Sequence, residues 1–190
     1  PKMVDAARHP QVEIVSYAEV ERVDGFIGNF RAQVTQKPRY VKADLCTGCG
    51  ECAAVCPIEV PNEFEIDLAP RKAIDVPHGQ AVPLIYAVDL DSCIQCYQCV
   101  TACGKRDAID FGMEPETREL EIGSIIMATG FDSFDPSVIP EYGYGRYPNV
   151  ITAMELERLA NSAGPTVGKL IRPSDGRAPQ SMAIIQCVGS

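Results

Sequence analysis

The 190-residue sequence is short of positive charge: 17 Lys and Arg stand against 26 Asp and Glu, a formal net charge of -9. A surface of that sign lacks the cations that neutralise phosphates, which argues against nucleic acid or an anionic membrane as the main partner. Long apolar runs are missing too. No stretch approaches the roughly 18 to 20 residues that cross a bilayer, and Pro1-Lys2-Met3-Val4 opens no signal-peptide core. A soluble, cytoplasmic protein with no membrane span is the expectation. No G-x-G-x-x-G occurs, so the sequence holds no complete phosphate site for a dinucleotide. Of the two histidines, His9 and His78, each adjoins a proline and neither sits in a thiol or carboxylate pattern; both read as loop residues rather than ligands.

Cysteine is what the sequence has in excess. Nine are present, and eight fall in two tight clusters whose spacing suits a metal better than a disulfide framework, which implies a reducing compartment. Cys46, Cys49, Cys52 and Cys56-Pro57 form C-x2-C-x2-C-x3-C-P, the run with which bacterial-type ferredoxins hold 4Fe-4S clusters. Cys93, Cys96, Cys99 and Cys103 repeat it at a constant offset of 47 residues, an internal duplication around two metal centres. In two-cluster ferredoxins the fourth cysteine of each run serves the other cluster. The expected ligand sets are therefore Cys46, Cys49, Cys52 and Cys103 for one, and Cys93, Cys96, Cys99 and Cys56 for the other.

The competing chemistry is zinc, since C-x2-C pairs also build ribbons and knuckles. A third cysteine at such close spacing, with Cys-Pro after it, favours iron-sulfur. Gly104 stands where the second run would carry its proline. The loops also differ in bulk. Thr47, Gly48 and Gly50 let backbone N-H groups approach the sulfurs, whereas Ile94, Gln95, Tyr97 and Gln98 are larger, so the two clusters should be inequivalent, the first the more easily reduced. The ninth cysteine, Cys187, ends an apolar run and reads as a buried strand residue.

Organisation follows the change in character along the chain. Gln11 to Ser16 and Asn29 to Val34 have strand-like spacing with turn chemistry at Val23-Asp24-Gly25 and Gly28, predicting an antiparallel hairpin. Tyr40 to about Phe111 holds the clustered cysteines and shows little helical periodicity. Apolar β-rich sequence resumes at Leu120-Glu121-Ile122; Ser124 to Ala128 reads as a buried strand ending at Thr129-Gly130, and Ser181 to Ile185 as another. Between them Thr152 and Glu155 form a capping box, predicting a helix of about three turns that stops before Gly164-Pro165. Gly143-Tyr144-Gly145 reads as a loop. A start without Met and an end after an apolar run suggest a piece of a longer polypeptide.

Ala128-Thr129-Gly130 resembles the segment that closes the FAD site in two-dinucleotide-domain flavoproteins such as thioredoxin reductase. The whole sequence resembles an internal stretch of the A subunit of heterodisulfide reductase, an iron-sulfur flavoprotein. The resemblance runs through Pro1-Lys2-Met3-Val4-Asp5, Gly28-Asn29-Phe30, the Cys46 to Cys52 run, Met127-Ala128-Thr129-Gly130-Phe131, Arg172-Pro173-Ser174-Asp175-Gly176 and Gln186-Cys187-Val188-Gly189-Ser190. It implies an α/β architecture: a bacterial-type ferredoxin-like module with two 4Fe-4S clusters (α+β, residues 41–118), inserted in part of a thioredoxin-reductase-like FAD-binding domain. Residues 1–40 would supply a hairpin of that domain, and 119–190 its continuation and the start of a second Rossmann-like domain.

The function implied is electron transfer between FAD and partner redox subunits, with Ala128, Thr129 and Gly130 contributing one wall of an FAD site completed outside this sequence. Implied partners are the other subunits of a heterodisulfide reductase-type complex and an electron-donating hydrogenase, formate dehydrogenase or ferredoxin. Cysteines beyond Ser190 in the family imply a role for Cys187 at an additional cluster. Two alternatives within the same resemblance are the A subunit of a quinone-interacting sulfate-reduction complex and an NADPH-dependent flavin oxidoreductase of the glutamate synthase small-subunit type. Gln186-Cys187-Val188-Gly189 in place of a glycine fingerprint argues against the latter.

Overall fold

The computed structural model describes residues 2–189; Pro1 and Ser190, the outer members of two motifs in the resemblance, lie outside the described residues. The chain begins with a short helix, α1 (Lys2–Arg8), followed by a hairpin of β1 (Ala18–Phe26) and β2 (Asn29–Gln36). The cysteine-rich stretch holds α2 (Glu51–Ala54), β3 (Glu59–Pro61), β4 (Pro70–Lys72), β5 (Ile74–Asp75), β6 (Ala87–Val88) and α3 (Gln98–Cys103). β7 (Glu116–Ile122) and α4 (Ala153–Ala160) complete the order. All the sheets are small: β1-β2-β7, β3-β4 and β5-β6.

The three-stranded sheet is antiparallel throughout, with Val20 opposite Val34 across the hairpin and Ala32 opposite Leu120 on the other side. Phe30, Ala32 and Val34 alternate with exposed Arg31 and Gln33, so β2 shows the two-residue period of a strand with one covered face. On β7, Arg118, Leu120 and Ile122 share that face. β1 is an edge strand bearing Glu19, Glu21, Arg22 and Asp24, charges that discourage pairing with another chain. β2 and β7 bracket the cysteine-rich stretch, which is therefore an insertion between two neighbouring strands of one sheet.

Two compact units result. The first contains the residues up to Val60 and Arg71–Met127; the second contains Pro61–Pro70 and the residues from Ala128 onward. In the first, Val41, Ile74, Val88, Cys99, Ala108 and Ile109 make a buried cluster. In the second, Asn62 starts a single 3-10 turn, Glu63–Glu65, by accepting hydrogen bonds at Oδ1 from the Phe64 and Glu65 amides at 3.1 and 3.2 Å. Arg158 of α4 reaches Glu65 with two bonds of 2.9 Å and lies 4.6 Å over the Phe64 ring. Both charged side chains are 9% exposed, so this is a desolvated, bidentate pair.

Several expectations need correction. The hairpin's first strand is Ala18–Phe26, not 11–16: every position of β1 after Ala18 is exposed, so no alternation of burial marks it in the sequence. Residues 124–128 and 181–185 form no strand; no described segment pairs with them, and Ile126 is left 89% exposed. Cys187, expected buried, is exposed. The capping box stands as expected, with the Glu155 amide donating to Thr152 Oγ1 at 3.1 Å and the Thr152 amide to Glu155 Oε2 at 2.5 Å. The helix after it is eight residues, about two turns rather than three, because the chain turns out at Asn161 and Gly164 packs directly against the Arg158 carbonyl.

Candidate metal centres

Short-range pairing explains how the duplicated runs meet. Val41, just before the first run, bridges Ile109, which follows the second; Val88, just before the second run, pairs with Ile74, which follows the first. The Lys42 amide donates to the Ala108 carbonyl and the Asp89 amide to the Ala73 carbonyl, both at 2.7 Å. Each half of the duplication thus begins against the tail of the other. The consequence is visible in two cavities of about 310 and 320 Å³, both partly open to solvent. The first is lined by Cys46, Cys49, Cys52 and Cys103, the second by Cys93, Cys96, Cys99 and Cys56. The structure therefore brings each fourth cysteine to the opposite run.

The loops between the cysteines share a backbone despite unlike side chains. Gly48 and Gly50 have φ of 67° and 82°; Gln95 and Tyr97, 47 positions on, have 52° and 58°. All four lie in the left-handed region, where a side chain costs free energy and glycine does not. Such turns aim successive amides inward, and the Gln95 amide donates to Cys93 Sγ at 3.4 Å. Gly104 takes φ 56° with ψ -130°, a conformation closed to proline, whose ring fixes φ near -65°. The missing second proline is thus a backbone requirement.

Burial pushes the Cys52 thiol up to about 11 and raises Cys99 in the same sense. Metal binds the thiolate, so loading either cavity must release protons. Among the described residues no group of three or more His, Cys, Asp or Glu converges as ligands to one ion must. Zinc requires its thiolates about 2.3 Å from a single point. Four cysteines set wider around a cavity fit a cubane, in which each thiolate meets its own iron. The donor set and the apolar lining both fit an iron-sulfur cluster.

The linings of these cavities include none of the other residues named in the sequence analysis as candidates. Ala128, Thr129 and Gly130 are exposed and outside any helix or strand. His9 and His78 accept hydrogen bonds at Nδ1 from amides two residues on, each at 3.2 Å, the loop role expected of them. Gly143 and Gly145 lie in turns. Two cavity residues are not apparent from the sequence motifs: Tyr86 and Arg106 line the first cavity. Arg106 carried a signal, since it follows Cys103 at the same interval as Glu59 follows Cys56, with the opposite charge.

Residues 45–109 match the 4Fe-4S dicluster domain family, and the duplicated runs around two thiol-lined cavities define the class: an iron-sulfur protein with a ferredoxin-like domain. The whole chain is 58% identical to the iron-sulfur A subunit of the CoB–CoM heterodisulfide reductase of Methanocaldococcus jannaschii, over 29% of that relative's length. It is 53% identical to the A subunit of the H2:CoB–CoM heterodisulfide,ferredoxin reductase of Methanothermobacter thermautotrophicus, again over 29% of it. With the A subunit of the ferredoxin:CoB–CoM heterodisulfide reductase of Methanosarcina mazei it shares 44% identity, over 24% of that relative. Over its full length the chain is similar to heterodisulfide reductase A subunits, and it spans less than a third of the length of these relatives. No helix among the described residues is long and apolar enough to cross a membrane.

Proposed function

We propose that this chain is the electron-relay portion of a heterodisulfide reductase-type A subunit, carrying two 4Fe-4S clusters. Cys46, Cys49, Cys52 and Cys103 hold one, and Cys93, Cys96, Cys99 and Cys56 hold the other. The observation that carries the reading is the sorting of eight cysteines, crossed between runs, into two sets of four around two cavities of nearly equal size. Bound there, the clusters accept and release single electrons. The chain's part is to supply eight thiolates, inward-facing amides from the left-handed turns and an apolar surround. Exposure of Cys49 and Cys96, one in each set, gives each centre an edge toward solvent and an incoming partner.

In this reading the electrons pass between FAD and partner subunits of the complex. Ala128, Thr129 and Gly130 contribute to the flavin pocket, whose phosphate-binding part lies in polypeptide outside this chain, because no G-x-G-x-x-G occurs in it. The relatives' names include H2, formate and ferredoxin, so the donor differs between complexes that share this segment. A heterodisulfide reductase complex of the kind named in these methanogen relatives is the setting this reading favours. Anaerobic reconstitution of the chain, followed by iron and sulfide analysis and EPR after reduction, tests the reading. About eight irons per chain, four per cubane, and no stoichiometric FAD is the expected result. A colourless protein holding zinc would refute it.

A further inference from the structure

The two cavities are alike in size and thiol content and unlike in charge. The second is lined, apart from its cysteines, by uncharged residues such as Ile58, Ile74, Val88 and Ile94. The first has Arg106 in its lining, beside Cys103, and this arginine is ion-paired with Glu51. At the duplicated position in the other half stands Glu59, which is absent from its cavity's lining and is held by Lys72 at 3.0 Å. The internal duplication has thus been broken at one position, by a cation placed on one cavity only.

Taking up an electron adds one negative charge to a cluster, with no bond broken and no proton required. Fixed positive charge nearby and hydrogen bonds to the sulfurs favour that change, the more so in an apolar cavity than in water. We propose that Arg106 separates the potentials of the two centres, making the one held by Cys46, Cys49, Cys52 and Cys103 the electron-holding site, with Glu51 attenuating the effect. Arg106 acts as a tuning residue: it brings a fixed positive charge to the lining of one cavity, and the lining of the other holds no charged residue. Arginine suits the task because it stays protonated throughout the accessible pH range and can hold Glu51 while lining the cavity. The electron comes from the flavin in the proposed relay, and from a chemical reductant in the test.

The inference rests on the two-cluster reading, and the experiment separates their failures. The whole chain and its Arg106→Gln, Arg106→Lys and Glu51→Gln variants are reconstituted anaerobically, assayed for iron, and titrated with dithionite against mediator dyes while EPR follows each signal. Cys46→Ala and Cys93→Ala assign the signals to the two centres. Absence of two reducible centres in the parent chain refutes the function proposed above, whatever Arg106 does. Given two, Arg106→Gln should disfavour reduction of the first centre about tenfold, which is about 59 mV for one electron, and leave the second in place. Arg106→Lys should shift it less, and Glu51→Gln should shift it upward. An unmoved first centre at full iron content, or equal movement of both, overturns the proposal. Should Arg106→Gln lose iron, Glu51→Gln decides, because it leaves the guanidinium in place: a downward or absent shift overturns the proposal.

Discussion

Gly50 and Tyr97, 47 residues apart in the chain, occupy the same left-handed backbone conformation, at φ 82°, ψ -5° and φ 58°, ψ 11°. Each immediately precedes a short helix that carries the third cysteine of its run. The duplicated loops have kept one conformation while exchanging glycine for a large aromatic, and what surrounds each position explains the choice. A Cβ at Gly50 would sit 3.1 Å from the Tyr86 hydroxyl. Tyr97 instead turns its ring against Phe111, edge to face, with centroids 5.3 Å apart.

The tighter of the first loop's two glycines is Gly48. A Cβ there would meet the Leu84 side chain at 2.8 Å and its carbonyl at 3.0 Å, in a backbone conformation that costs other residues about 1–2 kcal/mol. Gly48→Ala should therefore destabilise the cysteine-rich unit by at least that amount. Chemical denaturation of the reconstituted chain measures it; a loss below about 0.5 kcal/mol would show that the loop relaxes freely.

Cys103→Ala should remove the EPR signal that also depends on Cys46, Cys49 and Cys52 before it disturbs the one that depends on Cys93. The crossed lining of the cavities is the basis. Loss of the second signal first would mean that each run serves its own centre. Because Cys99 belongs to the small buried cluster with Val41, Ile74 and Val88, stripping iron with a chelator should also cost amide-exchange protection at those residues.

Glu65 and Arg158 form a buried ion pair, and breaking such a pair by removing one partner typically costs about 3–5 kcal/mol, whereas an apolar replacement of both is often near neutral. Arg158→Met alone should lower the stability of the second unit on that scale, with Glu65→Leu/Arg158→Met recovering most of the loss. Urea melts of the single and double variants decide it. Equal losses in both would indicate that the pair acts through its contact with Phe64 rather than through charge.

Two carboxylates in the first unit should give opposite pH signatures. Burial holds Asp75 above the ordinary carboxylate range, so the folded state binds its proton more tightly than the unfolded chain and loses that advantage as pH rises through the raised value. Asp89 is pushed upward by burial, but hydrogen bonds from Arg71 and Ser92, each at 3.0 Å, outweigh it and leave its pKa lowered. Its contribution is complete above the unfolded carboxylate pKa of about 4 and is lost as pH falls through the lowered value. Asp75→Asn should therefore be more stable than the parent at pH 7 and Asp89→Asn less stable, with both differences closing in acid. Thermal melts between about pH 3 and 7 would expose a reversed order.

What the sequence determined by itself was the chemistry. The spacing of Cys46 to Cys56 and its repeat from Cys93 to Cys103 name the iron-sulfur chemistry and the duplication, because cluster-binding loops are short and local in the chain. The capping box at Thr152 and Glu155 was legible for the same reason, being a contact across three residues. The tertiary structure decided what depends on distant partners. It moved the first hairpin strand to Ala18–Phe26, where exposure on both faces leaves no periodic signal, and it left 124–128 and 181–185 without a ladder, since an apolar run becomes a strand only when another strand bonds to it. It paired Glu65 with Arg158, 93 positions apart, and it brought Arg106 to one cavity while Glu59 stayed out of the other. Local spacing fixes which atoms can bind a metal; only long-range packing fixes which charge stands beside it.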